Sequence, residues 1–471
     1  MEATTRQGRV RGRIKDGVAA FLGIPYAAPP FGPHRFGPPA PPAPWEGVRD
    51  ALEFGPTAPK RPYRPPLDRL IPDPDIPGDD CLNLNVWTPE GAEGLPVMVW
   101  IHGGSLRNGS NSLSLYDGGA FARDGVVLVS VNYRLGVEGF AVFPDAPSNR
   151  GLLDQLAALR WVRDNIAAFG GDPGNVTVFG ESAGAISIGA LLAGPHSAGL
   201  FHRAILQSGP PHAVSPEDGA KITRIIAKRL GVAPTAAAFA AVDRELLLTA
   251  QAEATAKGNP LSGGAGFQVV IDGDTVPSHP LEALRAGTAG EIDLLVGSNT
   301  EEYRLWFVPT GVVDRVGRLA LRLALAKFRI KGRVAKVYQA NRPGARPGEI
   351  LGALATDLLL RVPLNRLADS RARTFVYEFG WRSPMEGLGA CHALEIGFVF
   401  DTLRTPGQLT LAGPDAPQEL ADAMHRAWIA FAESGDPGWP AWDATRPVML
   451  FDQPGPAVVR GPRDDELSLW P

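Results

Sequence analysis

The stretch Val176-Thr177-Val178-Phe179-Gly180-Glu181-Ser182-Ala183-Gly184-Ala185 constrains this chain more than any other. Its β-branched and aromatic start reads as a buried strand. Gly-x-Ser-x-Gly follows at once, and residues 185–192 continue with helical character. A serine on a strand-to-helix bend takes strained backbone angles, and the flanking glycines let neighbouring chain pass close. The bend lifts the Ser182 hydroxyl out of the core. The new helix turns its free amides and positive dipole end toward whatever collects there. A base, an acid and donors for a developing negative charge must then come from elsewhere in the chain.

The surrounding pattern supplies the sheet that such a bend needs. Residues 82–88 alternate, whereas Leu95–Ile101 and residues 125–133 are apolar throughout, as strands covered on both faces are. Residues 203–209, 292–297 and 374–379 are further short strands. Residues 152–169 have helical spacing and stop at Gly170-Gly171. Alanine-rich helices are predicted over 215–258, mostly helix over 310–370, and a closing helix over 420–431. Strands alternating with helices describe a largely parallel sheet with helices on both faces. With the elbow, that predicts an α/β-hydrolase fold carrying helical insertions around the active site. Residues 8–24 alternate about Lys15-Asp16-Gly17, a hairpin signal. The proline-rich passage to about residue 75 carries Phe31, Phe36, Trp45 and Phe54, which predict coil pinned to a surface. With no repeat and no linker, residues 1–471 are expected to form one catalytic domain.

Composition narrows the function classes. The chain has 471 residues, 44% hydrophobic and 20% charged, enough for a sizeable core. A net charge of −4 gives no footprint for nucleic acid. Cys81 and Cys391 make neither a disulfide framework nor a metal-type spacing, and both are expected reduced, which favours a cytoplasmic location. Residues 1–8 lack the apolar core of a signal peptide, and no apolar run reaches the roughly 18 residues of a membrane span. No cofactor is expected.

A serine hydroxyl is a poor nucleophile without a base. In α/β-hydrolases the order is serine, acid, histidine, so the base lies late, at His392 or His425. His425 falls in a helical run and is expected at the surface. His392 falls in the glycine-bearing loop 387–395 after a strand, where catalytic side chains are presented. The acid is expected in the loop 297–303, at Glu301 or Glu302, which spacing does not separate. Asp272 and Asp274 read more naturally as a turn. Ile101-His102-Gly103-Gly104-Ser105-Leu106 follows a buried strand and is an oxyanion loop with its third glycine replaced. His102 has no His-x-x-x-His companion, and His196 and His202 are six apart, so no metal site is expected. Residues 104–110 lack the lysine of a phosphate loop. Cys391 is expected to be a packing residue. Arg315, Arg318, Arg322, Lys327, Arg329, Lys331, Arg333 and Lys336 are expected on a solvated face near the active-site mouth, in preference to a membrane-surface helix.

Together these residues resemble the type-B carboxylesterase family, which includes bacterial para-nitrobenzyl esterases and the cholinesterases. The resemblance covers nearly the whole chain. It is carried by Phe21-Leu22-Gly23-Ile24-Pro25-Tyr26, Asp80-Cys81-Leu82-Asn83-Leu84-Asn85-Val86-Trp87 and Asn132-Tyr133-Arg134-Leu135-Gly136. It continues through Phe169-Gly170-Gly171-Asp172-Pro173, the elbow, and His392-Ala393-Leu394-Glu395-Ile396 with Phe398-Val399-Phe400. The resemblance implies a serine carboxylesterase acting on small esters through an acyl-enzyme. The acyl group is expected short to medium, the alcohol alkyl or aryl, and the assembly a monomer or weak homodimer. It selects Glu302 as the acid, since the family's acid motif falls on Asn299-Thr300-Glu301-Glu302-Tyr303. It places the oxyanion amides on Gly104, Ser105 and Ala183, and an ion pair between Arg134 and Asp172. Glu181 corresponds to an extra carboxylate near the base of the gorge.

Some positions depart from the family pattern. Tyr303 replaces a glycine after the acid, so the acid loop is expected to bend differently. Leu106 stands where an aromatic is common, so the family's usual acyl-side wall is not expected, and Leu106 and Glu181 are expected to line the substrate pocket. Asp79 replaces a glutamate, and the cysteine that often pairs with Cys81 is missing. Further pocket walls are expected from 210–260 and 305–365. Amides, carbamates or lactones are alternative substrates for the same triad. A non-catalytic binding relative is disfavoured, because such relatives typically lack the serine.

Overall fold

The computed structural model describes residues 1–256 and 266–470. The first fifty residues give strands β1 (Glu2–Thr4), β2 (Arg9–Arg11), β3 (Arg13–Lys15), β4 (Val18–Pro25) and β5 (Val48–Asp50). The middle of the chain adds β6 (Asn83–Pro89), β7 (Leu95–Ile101), β8 (Val127–Val131), β9 (Gly171–Glu181) and β10 (Arg203–Gln207). Strands β11 (Asp293–Asn299), β12 (Thr374–Phe379), β13 (Pro447–Phe451) and β14 (Ala457–Arg460) complete the set. Eleven strands form one sheet in the order β14-β13-β12-β11-β10-β9-β7-β8-β6-β4-β3, and β1, β2 and β5 form a small second sheet. From β13 to β8 every neighbour is parallel. Antiparallel strands sit at both edges. This is the α/β-hydrolase architecture.

The pleat explains why the central strands read as unbroken apolar runs. Val97, Val99 and Ile101 of β7, with Val127, Val129 and Val131 of β8, enter one core. Met98, Trp100 and Leu128, between them, enter the other. Successive side chains point to opposite faces, so a strand covered on both must be apolar at every position. Helices Arg150–Asn165 and Ala183–Ala193 cover the first face with Leu152, Leu156, Ile188 and Leu191. Helix Gln418–Ser434 covers the second with Met424, Trp428 and Phe431. Each of these buried side chains stabilises the fold by about 1.5–3 kcal/mol relative to exposure.

The hairpin about Lys15-Asp16-Gly17 forms, pairing β3 with β4. The proline-rich passage is mostly irregular, with Phe31 and Phe36 buried against the core. The alanine-rich stretch forms helices Pro216–Leu230, Ala236–Ala240 and Arg244–Ala254. The end of that stretch, and part of the wall expected from 210–260, fall within 257–265, outside the described residues. The basic side chains of 315–336 are exposed, while Leu321 and Val334 turn inward to a separate small core. No helix among the described residues is long and apolar enough to cross a membrane.

Two expectations are corrected. His425 is buried, not at the surface, because it shares the inward stripe of its helix with Ala421 and Trp428. Its Nδ1 donates to the Val399 carbonyl at 2.7 Å, and its ring lies 4.4 Å from that of Phe121. Arg134 pairs with Asp154, not Asp172. Its Nε and Nη2 donate to the two Asp154 oxygens at 2.8 and 2.7 Å. Asp154 projects from helix Arg150–Asn165 into the core, whereas Asp172 accepts the Gly174 amide at 2.8 Å within its own turn.

Candidate active site

The parallel strands bring their C-terminal ends to one rim of the sheet, where loops following strands gather. Ile101 at the end of β7 is in register with Gly180 of β9, and Gln207 at the end of β10 with Glu181. Ser182 sits just past β9 at φ 55° and ψ −120°, a conformation that costs a non-glycine residue about 1–3 kcal/mol. Its amide donates to the Gln207 carbonyl at 2.8 Å, which holds the bend. The glycines around it are steric requirements. A Cβ on Gly180 would meet the Ile101 carbonyl oxygen at 2.6 Å, and one on Gly184 would overlap the same oxygen. Ser182 itself is half-buried, on a cavity wall.

Glu302 and His392 meet beside it. His392 Nδ1 donates to Glu302 Oε2 at 2.6 Å, and Glu302 Oε1 accepts the Asn299 amide at 2.7 Å. Glu302 is fully buried. Glu301 turns away and pairs with Arg304 at 2.7 Å. Asp272 accepts the Asp274 and Val276 amides, which makes the Asp-Gly-Asp stretch a turn. Tyr303 takes ordinary helical angles, φ −59° and ψ −23°, and leads into helix Arg304–Phe307. Its ring packs against Gly352, where a Cβ would overlap it. The replaced glycine therefore demands no unusual backbone, and the short helix sets the Trp306 ring 4.6 Å from that of His392.

The other face of the imidazole was not foreseen. His392 Nε2 lies 2.8 Å from Glu181 Oε1, and no hydrogen bond among the described residues joins it to Ser182. Burial pulls the imidazole toward its neutral form, but the carboxylates of Glu181 and Glu302 outweigh that and hold its pKa well above the usual histidine range. Burial raises the pKa of Glu181, against the opposing pull of His392. A third carboxyl, Glu395, lies fully buried behind them. Its oxygens accept from Gln207 Nε2 at 3.1 Å and Asn299 Nδ2 at 2.7 Å. Burial, then Glu181 and Glu302, push its pKa up to about 8. Asn299 Nδ2 also donates to the Cys391 carbonyl at 2.7 Å, tying the loop of Glu302 to the loop of His392.

The loop that follows β7 is tightly wound. Gly104 stands at φ 112°, Ser105 at 56° and Leu106 at 59°. A Cβ on Gly104 would overlap the Asn108 carbonyl oxygen, and one on Gly103 would meet Glu181 Oε2 at 2.7 Å. The amides of Gly104, Ser105 and Ala183 donate to no acceptor among the described residues. His102 is structural. Its ring stacks on Tyr133 at 4.5 Å, and burial lowers its pKa to about 4. Cys391 is buried and unpaired, as is Cys81.

Two cavities meet at Ser182 and His392. The larger, of about 540 Å³, is lined by Ser105, Leu106, Ala183, Ser208, His279 and Leu359 among others. The smaller, of about 100 Å³, includes Gly104, Tyr116, Glu181 and Gln408. Arg107 and Trp306 border both. Neither was singled out from the sequence, although Trp306 stands four residues beyond Glu302, one helical turn on. Gln207 and Glu395 were missed as members of the buried polar network, because a polar residue in an apolar strand or loop carries no local sign of its partner.

The carboxylesterase family model matches residues 1–470. The chain is 39% identical to the para-nitrobenzyl esterase of Bacillus subtilis (strain 168), covering 95% of this chain and 94% of that protein. It is 37% identical to the phenmedipham hydrolase of Pseudarthrobacter oxydans, covering 99% and 98%. A crystal structure of a Geobacillus stearothermophilus carboxylesterase superposes with a TM-score of 0.89 at 36% identity, covering all of both chains. From end to end, then, the chain belongs to the carboxylesterase family and is a carboxylic ester hydrolase.

Proposed function

We propose that Ser182 attacks the ester carbonyl, with His392 as general base and Glu302 holding the imidazole in the tautomer that keeps Nε2 free. The Gly104, Ser105 and Ala183 amides receive the oxyanion; each such donor is worth on the order of a hundredfold or more in rate. The alcohol leaves with the proton taken by His392, and water, activated by the same imidazole, releases the acid. The observation that carries this reading is the 2.6 Å Glu302–His392 bond inside a fully buried carboxylate pocket, opening on the cavity that Ser182 lines. Glu181 modulates the base. Glu181 and Glu302 both favour the protonated imidazole, and in the base form its Nε2 turns from Glu181 to Ser182. Leu106 forms part of the wall of the larger cavity.

Esters of short to medium acids with alkyl or aryl alcohols suit two cavities of unequal size. Residues 1–471 act as one catalytic unit, as a monomer or weak homodimer, and the two unpaired buried cysteines fit the cytoplasm. The test is turnover of matched aryl ester and anilide substrates by the wild type and Ser182→Ala. The ester is cleaved much faster, and the substitution abolishes both activities. An anilide cleaved as fast as its ester would make the protein an amidase on the same triad.

A further inference from the structure

Arg107 is out of place for an enzyme of purely neutral esters. It lies two residues beyond Ser105, and its amide closes that turn by donating to the Gly104 carbonyl at 3.1 Å. Its side chain borders both cavities beside Ser182 and His392. Among the described residues one hydrogen bond holds the guanidinium, from Nη1 to the Thr255 carbonyl at 3.2 Å, on the side of the larger cavity. No carboxylate among the described residues pairs with it, and its Nε is buried without a partner. Burial withdraws hydration from the cation and lowers its pKa from the ordinary arginine value. Arg107 is half-buried, and a partly desolvated cation with no carboxylate beside it favours a negative group in the cavity.

Among the described residues no carboxylate lines the larger cavity, whereas Glu181 lines the smaller one.

We propose that Arg107 is an anion-recognition residue, and that the larger cavity takes ester substrates whose portion seated there ends in a carboxylate. The inference rests on the esterase reading of the same cavity. A guanidinium–carboxylate contact at Arg107 binds one end of the substrate while Ser182 acts on the ester at the other.

The test compares kcat/KM for charged and uncharged pairs in the wild type, Arg107→Leu and Arg107→Lys. On the acyl side the pair is the para-nitrophenyl half-ester of glutaric acid and para-nitrophenyl hexanoate. On the alcohol side it is para-acetoxybenzoate and para-tolyl acetate. The readout is the charged-to-neutral ratio within each protein, so a general loss of activity cancels. The ratio for at least one pair falls about tenfold or more in Arg107→Leu, and Arg107→Lys retains part of it. Ratios equal in the wild type and Arg107→Leu for both pairs overturn the proposal and reduce Arg107 to a brace of the oxyanion turn. Wild-type rates for Ser182→Ala would instead overturn the esterase reading beneath it.

Discussion

Nε2 of His392 lies 2.8 Å from Oε1 of Glu181, the residue immediately before Ser182. With Glu302 Oε2 2.6 Å from the opposite nitrogen, the imidazole is held between two carboxylates. A histidine base must be neutral to act, so with His392 in the proposed role kcat/KM rises as its imidazolium proton is lost. Glu181 raises the pKa of His392, so removing its charge lowers that pKa and brings activity in at lower pH. Glu181→Gln therefore shifts the acidic limb of the pH profile downward, by about one unit or more. A limb that stays in place, measured with a neutral aryl ester, would show that Glu181 does not act on the base.

The adjacent glutamates differ in what they touch. Glu302 receives the Nδ1 proton bond and is sealed from water, whereas Glu301 serves Arg304 and the Ala390 amide. Glu302→Gln keeps the shape but supports the wrong tautomer and no longer balances the imidazolium. It lowers kcat by about 10³–10⁴. Glu301→Gln lowers it by less than about tenfold. Steady-state kinetics on the two purified variants separate them, and equal losses would count against the assignment of Glu302.

The Arg134–Asp154 pair is almost completely shielded from solvent. Asp154→Asn leaves the guanidinium buried with half its charge balance gone, which costs about 3–5 kcal/mol. Asp172→Asn disturbs only a local turn bond and costs within about 1 kcal/mol. Urea unfolding of both variants checks the order; a larger loss for Asp172→Asn would restore the pairing that the family resemblance implied.

The elbow's second glycine is a matter of space. Gly184→Ala pushes a methyl into the Ile101 carbonyl at the join between β7 and helix Ala183–Ala193. The expected cost is about 3 kcal/mol, with loss of most activity because Ala183 and Ser182 shift together. A thermal scan and a turnover assay read both effects, and a variant with wild-type melting temperature would contradict the close approach.

Much of this was legible in the chain because the decisive signals are local. The apolar runs at β7 and β8 announce burial on both faces, and the Gly-x-Ser-x-Gly bend announces Ser182. His392 and the pair Glu301/Glu302 lie in loops after strands, which is a topological rule and not a long-range one. Strands of three residues, such as β1 and β5, escaped notice because so short a run has no periodicity to detect. The same holds at the far edge, where Pro447 opens β13 and disguises it. His425 was misjudged because a polar side chain on an amphipathic helix signals nothing about which face it occupies. The Arg134–Asp154 pair, the Glu181–His392 contact and the unpartnered Arg107 depend on distances across the fold, which no local pattern encodes.

If Ser182 is the nucleophile that shares its cavity with His392, it is the residue that a serine-directed reagent labels. Treatment with a fluorophosphonate, followed by peptide mass spectrometry, tests that directly. One adduct per chain on the peptide containing Ser182, absent in Ser182→Ala and strongly slowed in Glu302→Gln, is the predicted result. An adduct on another residue, or full esterase activity in Ser182→Ala, would contradict it.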